Sequence, residues 1–115
     1  MVERGFVTYT NSAKCEMLSV APDLFDTVGA VSEDVACAMA EGALKNSAAQ
    51  ITIAVTGVAG PGGGTVDKPV GLVHIACARE GADTLHERHI FGGDREAVRS
   101  QTVVAAMRLL IKLSE

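Results

Sequence analysis

Between two apolar segments runs the stretch Ala54-Val-Thr-Gly-Val-Ala-Gly-Pro-Gly-Gly-Gly-Thr-Val-Asp-Lys-Pro-Val-Gly-Leu-Val-His-Ile-Ala76, with glycines at 57, 60, 62, 63 and 64. Glycine tolerates positive φ and lets the backbone come close to a ligand, and consecutive free N–H groups form a concave nest suited to an anion. Two familiar phosphate motifs are excluded. No glycine here is followed by lysine, as a P-loop requires, and the stretch leads to Pro69 and a strand rather than into a helix, as a dinucleotide fingerprint requires. A bare glycine-rich connection is more often a flexible loop than a site. The distance from Gly57 to Pro69 is nevertheless long for a strand connection, and such loops are disproportionately functional.

Other reactive side chains are less suggestive. His86-Glu-Arg-His89 lacks the His-Glu-x-x-His helix pattern, and residues three apart on a strand point to opposite faces, so no shared metal is expected. His74 is expected to be a strand residue satisfied locally. Cys15, Cys37 and Cys77 are widely spaced and read as reduced, small hydrophobes rather than a disulfide framework. Glu33, Asp34 and Glu41 suit a solvated helix face better than an acid/base pair.

With 115 residues, 48% hydrophobic and 21% charged, the chain has the size and apolar content of one domain spanning 1–115. Aromatics at 3% leave few stacking platforms, and ten basic against fourteen acidic residues give no broad footprint for a polyanion, so nucleic acid is not expected as a partner. An anion site must therefore be local, and a mononucleotide suits it better than DNA. No run approaches the length of a membrane span and the first residues carry no signal pattern, so the expectation is a cytoplasmic protein without membrane contact.

The elements that would position the loop can be read from pattern. Gly5-Phe-Val-Thr-Tyr-Thr10 is β-branched and aromatic and predicts a strand. Ser32 followed by Glu33 and Asp34 predicts a capped helix to about Ser47, burying Val35, Ala36, Met39, Ala43 and Leu44. Strands are expected over 50–56, apolar enough to be central in a sheet, then over 70–78 and 84–91. Asp94 should cap a last helix with Ala97, Val98, Ala105, Met107, Leu109 and Leu110 on its apolar face. This order predicts an α/β fold, a three-layer α/β/α domain with a mixed sheet.

The string Val55-Thr-Gly-Val-Ala-Gly-Pro-Gly-Gly-Gly-Thr with Lys68-Pro-Val-Gly-Leu-Val closely resembles the signature of the CinA C-terminal domain family, whose enzymatic members are nicotinamide-nucleotide amidohydrolases. Gly5-Phe-Val-Thr-Tyr-Thr-Asn-Ser-Ala-Lys14, Gly29-Ala-Val-Ser-Glu33 and Phe91-Gly-Gly-Asp-Arg-Glu-Ala-Val-Arg99 resemble the family's other motifs, in the family's order. The resemblance implies hydrolysis of the carboxamide of nicotinamide mononucleotide, without metal or cofactor, by a serine nucleophile assisted by a tyrosine and a lysine. These last match Tyr9 and Lys14. A lone lysine is usually a solvated tip; a lysine acting as base needs burial or neighbouring positive charge, so Lys14 is expected in a closed cleft. The resemblance further implies that Thr56, Gly57, Gly60, Gly62 and Gly63 line the pocket of a pyridine nucleotide and that Arg95 reaches its phosphate.

The family's Ala-Glu-Ser-Cys-Thr-Gly-Gly motif has no counterpart in this sequence; Ser12, Ser19 and Ser32 do not match its position. The expectation is a domain lacking the family's N-terminal helix and strand. Three readings follow: an amidohydrolase whose serine lies upstream, a catalytically inactive nucleotide-binding or structural remnant, and a subunit completed by another chain. A homo-oligomer is expected, because an incomplete sheet leaves an edge that invites pairing.

Overall fold

The structure, a computed structural model, describes residues 3–114. In chain order its elements are α1 (Asn11–Leu18), α2 (Asp23–Thr27), α3 (Glu33–Lys45), β1 (Ile51–Gly57), β2 (Leu72–Arg79), β3 (Leu85–Ile90) and α4 (Arg95–Ser114). The strands form one sheet in the order β1-β2-β3, and both pairings are antiparallel.

The interior of β2 is sealed on both faces because its side chains alternate between two cores. Ala76 and Ala78, with Ala54 of β1, pack on Val35, Ala36, Met39, Ala40 and Ala43 of α3. Val73, Ile75 and Cys77 pack on Val98, Ala106 and Leu109 of α4. Small residues thus meet the α3 face and larger ones the α4 face, and α3 comes close enough for the Thr52 hydroxyl on β1 to donate to the Ala40 carbonyl at 2.6 Å. Burial raises the Cys77 thiol to about 11, which keeps it protonated at neutral pH.

The predicted α/β class and three layers therefore stand, with two corrections of detail. The sheet expected to be mixed is antiparallel throughout its described strands. Parallel pairing needs a crossover, and both connections between strands here are hairpin-like. Secondly, β2 is the central strand, whereas 50–56 was expected to be central; β1 pairs on one side only among the described residues.

The predicted strand over 5–10 carries no regular element and has no partner strand among the described residues. Thr10 instead caps α1, its hydroxyl accepting from the Ala13 N–H at 3.0 Å, so the tyrosine–lysine motif spans a coil-to-helix junction. α1 was not anticipated because its apolar residues follow no strong helical period, and it is held by tertiary contact with α3. The predicted α3 is capped by Ser32, whose hydroxyl accepts from the Val35 N–H at 3.3 Å. On α4, Val98 and Leu109 are buried as expected, but Met107 lies on the exposed side with Val103, Val104 and Ile111.

Gly42 marks where α1 crosses α3: a Cβ there would collide with the Leu18 carbonyl. Helix propensity alone favours Gly42→Ala by about 1 kcal/mol, whereas the backbone clash opposes it by about 1–3 kcal/mol. Net destabilisation is expected, read as a lower urea midpoint for Gly42→Ala with an unchanged slope.

Candidate functional site

One end of the sheet gathers the features of interest. There β1 ends, β2 begins, and the N-termini of α3 and α4 both arrive. The Thr56 hydroxyl donates to the Ala30 carbonyl, just before α3, at 2.9 Å, and Arg95, the first residue of α4, donates from Nη1 to the Gly60 carbonyl at 3.1 Å. The glycine loop emerges between these two contacts.

The loop has a tight base and an open tip. Val58 and Gly71 close the base, with Val58 N–H donating to the Leu72 carbonyl at 2.9 Å and Gly71 N–H to the Val58 carbonyl at 2.7 Å. Gly60 and Gly63 have φ of 84° and 89°, which a side chain would strain, and a Cβ on Gly60 would press into Val70. Residues 61–67 are exposed, and the N–H groups of Gly62, Gly63 and Gly64 donate to no backbone acceptor among the described residues. These N–H groups lie between two helix N-termini, at the loop where the glycine pattern led to the expectation of an anion nest. Gly57 closes β1, where a Cβ would press on the Leu72 carbonyl.

Lys14 and Tyr9, at the start of α1 and just before it, have different surroundings. Lys14 is 8% exposed, with Nζ donating to the Thr8 carbonyl at 3.2 Å, whereas Tyr9 is 94% exposed and bonds to nothing described. None of the Lys14 hydrogen bonds reaches the glycine loop. The residues expected at the site thus form two groups: Lys14 and Tyr9 at the α1 junction, and Thr56, Gly57, Gly60, Gly62, Gly63 and Arg95 at the loop. Beside the first group lies a groove of about 800 Å³ along the outer edge of β1, bounded by Phe6, Val7 and Thr8 on one side and Ile51 and Ile53 on the other.

Two residues at the loop end carry roles that the sequence did not single out. Lys68 extends across the loop exit to donate from Nζ to the Val28 carbonyl at 2.6 Å. His74 stands opposite Thr56 on β1 and Arg88 on β3, so the three form a polar row across the α3 face of the sheet. Only the partners of the row could have revealed it, because His74 within Leu-Val-His-Ile-Ala carries no local signal.

His74 is 7% exposed, and its Nδ1 lies 2.9 Å from Nε2 of His86, with the rings stacked at 5.1 Å. Nδ1 of His86 in turn lies 3.5 Å from the Glu33 carboxylate at the start of α3. Burial is the largest influence holding the His74 pKa below its ordinary value, followed by His86 and Arg88; Glu33 opposes them and Lys68 adds to them. His89 points elsewhere, pairing with Glu87 at 2.9 Å and stacking on Phe91, so the two histidines of His86-Glu-Arg-His89 take separate partners. Cys37 is also pushed up, chiefly by burial and then by Glu33, Glu41 and Asp34, which suits a protonated thiol rather than a nucleophile.

These features define a three-layer α/β domain with an exposed glycine loop at one end of its sheet, flanked by two helix N-termini. The chain belongs to the CinA C-terminal domain family, whose model matches residues 1–114. It is 50% identical over 111 residues to "Nicotinamide-nucleotide amidohydrolase PncC" from Pseudomonas putida, covering 96% of this chain and 69% of that one. It is 45% identical over 108 residues to the protein of the same name from Escherichia coli K12, covering 94% and 66%. Among solved structures it is similar to the competence/damage inducible protein CihA from Agrobacterium tumefaciens, with a TM-score of 0.95 at 49% identity, covering 97% of this chain and 68% of that one. The chain thus spans about two thirds of the length of these relatives. Among the described residues no helix is long and apolar enough to cross a membrane.

The sign of the His74 shift sets a pH dependence. A histidine whose folded pKa lies below its unfolded value of 6.5 is bound by more protons in the unfolded chain, so it contributes stability above that pH and loses it as the pH falls. Unfolding free energy is expected to drop on going from pH 7.5 to 5, and His74→Gln should flatten that slope; equal slopes in urea titrations would show that His74 does not carry it.

Proposed function

We propose that this domain works as part of a nicotinamide mononucleotide amidohydrolase. Water is added across the carboxamide C–N bond, and the products are nicotinic acid mononucleotide and ammonia. The observation that carries this reading is a buried lysine, Lys14, at the position matching the family's motif, in a chain half identical to a protein named for that activity.

In the proposed reaction a serine oxygen attacks the carboxamide carbon while the Lys14 amine takes its proton, with Tyr9 beside it. The tetrahedral oxyanion is held by N–H donors, the C–N bond breaks, and the departing nitrogen takes a proton to leave as ammonia. Water then hydrolyses the acyl ester and restores the serine. Thr56, Gly57, Gly60, Gly62 and Gly63 cradle the nucleotide, with the free loop N–H groups toward its phosphate, and Arg95 turns its remaining donors to the same group. Tyr9 closes on the substrate from the solvent-facing position it holds in the free chain. No cofactor is required. The family's serine motif has no counterpart among these 115 residues, and this reading takes the nucleophile as supplied to the site from elsewhere. These steps are those of a soluble metabolic enzyme acting in the cytoplasm.

A second reading draws support from the groove beside β1. The one-sided pairing of β1 and the adjoining cavity leave room for another segment, from a second copy of the chain or another chain, and without it the domain would bind nucleotide but not turn it over.

Ammonia release from nicotinamide mononucleotide separates the readings, measured with this chain beside a longer form carrying the family's serine motif. Turnover by the longer form alone is expected. In that form Lys14→Ala should lower kcat/KM by about a hundredfold or more, while Lys45→Ala, on the exposed end of α3, should leave it unchanged. Equal activity in the two variants would remove Lys14 from the reaction.

A further inference from the structure

The two ends of the glycine loop are tied to one short turn, and the exit tie is made by a cation. Thr56, at the entry, donates to the Ala30 carbonyl at 2.9 Å, and Lys68, at the exit, donates from Nζ to the Val28 carbonyl at 2.6 Å. The anchor residues flank Gly29, whose φ of 78° turns the chain between α2 and α3. A Cβ on Gly29 would stand 2.5 Å from Lys68 Nζ, so the bare glycine is what lets the ammonium reach the carbonyl. Within the loop, Lys68 also closes a small turn, its carbonyl accepting from Thr65 N–H at 2.9 Å and its N–H donating to Thr65 Oγ1 at 3.0 Å.

We propose that Lys68 is a positioning residue, which clasps the exit of the glycine loop to the Val28–Ala30 turn and so holds the free N–H groups of Gly62, Gly63 and Gly64 ready for the anionic group of a nucleotide. The proposal rests on the nucleotide reading given above for this loop.

The energetics favour a clasp over a wandering side chain. A glycine-rich loop loses much conformational freedom when it is ordered around a ligand, and a loop already fixed at both ends has less to lose. A lysine whose Nζ is engaged by a carbonyl at 2.6 Å acts through the backbone it holds, and its charge still adds to the positive field of the α3 N-terminus. On the other side of the sheet Arg95 grips the Gly60 carbonyl, so the loop is braced from both faces while its tip stays open.

The test compares Lys68→Met, Lys68→Arg and Gly29→Ala with the unaltered chain in two readouts. One is amide hydrogen exchange at Val58, Thr65 and Gly71, with Ile75 of β2 as internal control. The other is the Kd for nicotinamide mononucleotide by calorimetry. Lys68→Met should speed exchange at the three loop amides by roughly tenfold, leave Ile75 unchanged, and weaken binding by a similar factor. Gly29→Ala, which displaces the ammonium but keeps the charge, should do the same, and Lys68→Arg should restore much of both. Weakened binding with unchanged loop exchange would overturn the clasp and make Lys68 a direct ligand contact. Faster exchange with unchanged Kd would show that the clasp does not serve ligand binding. Failure of the unaltered chain to bind the nucleotide would count against the functional reading, and the exchange comparison would still decide whether Lys68 fixes the loop.

Discussion

The architecture depends on β2 being buried on both faces while paired on both edges. A strand in that position must satisfy every backbone group by pairing and every side chain by packing, and Leu72–Ala78 does so with β1 and β3 beside it and α3 and α4 above and below. Alanines at 54, 76 and 78 let α3 lie close to the sheet, and larger residues at 73 and 75 fill the wider gap to α4. With these depths set, both helices begin at the same end of the sheet, and the connection between β1 and β2 must pass between their N-termini.

The chemistry of that end follows from the crowding. Two cations, Lys68 and Arg95, spend donors on backbone carbonyls of the Val28–Ala30 turn and of the loop itself, and the Thr56 hydroxyl does likewise. What remains uncommitted is the backbone N–H groups at the exposed tip of the loop and the other donors of Arg95, with the positive ends of two helix dipoles behind them. The His74–His86–Glu33 series runs alongside, connecting the sheet to the first turn of α3, and its buried member is held toward the neutral form by burial and by neighbouring positive charge. Lys68, Arg88 and Arg95 at this end are interspersed with Glu33, Asp34, Asp67 and Asp94, in a chain that is acidic overall.

Much of this plan was legible without coordinates. α3 and its Ser32 cap, the strands now seen as β2 and β3, the Asp94 cap of α4 and the long glycine loop follow from local signals whose physics needs no partner: a hydroxyl beside orphan N–H groups, apolar periodicity, and glycines where side chains are excluded. The resemblance of four ordered motifs carried the family, and the functional reading rests on it, because neither periodicity nor composition names a substrate.

Tertiary structure decided what depends on neighbours distant in the chain. Whether Gly5–Thr10 is a strand depends on reaching a partner: a groove separates this run from the open edge of β1, so it pairs with no described strand, and Thr10 caps α1. Whether the sheet is mixed or antiparallel, and whether β1 or β2 is central, depends on which edges meet, a long-range matter that strand propensity does not encode. The burial of Lys14, the exposure of Tyr9, the clasp of Lys68 on Val28 and the pairing of His74 with His86 join residues from 6 to 40 positions apart or expose one that lies beside them. Short-range signals determined α3, α4, the three strands and the loop; packing determined α1, which charges are buried, which are spent on carbonyls, and which face outward, because those depend on distances that only the folded chain sets.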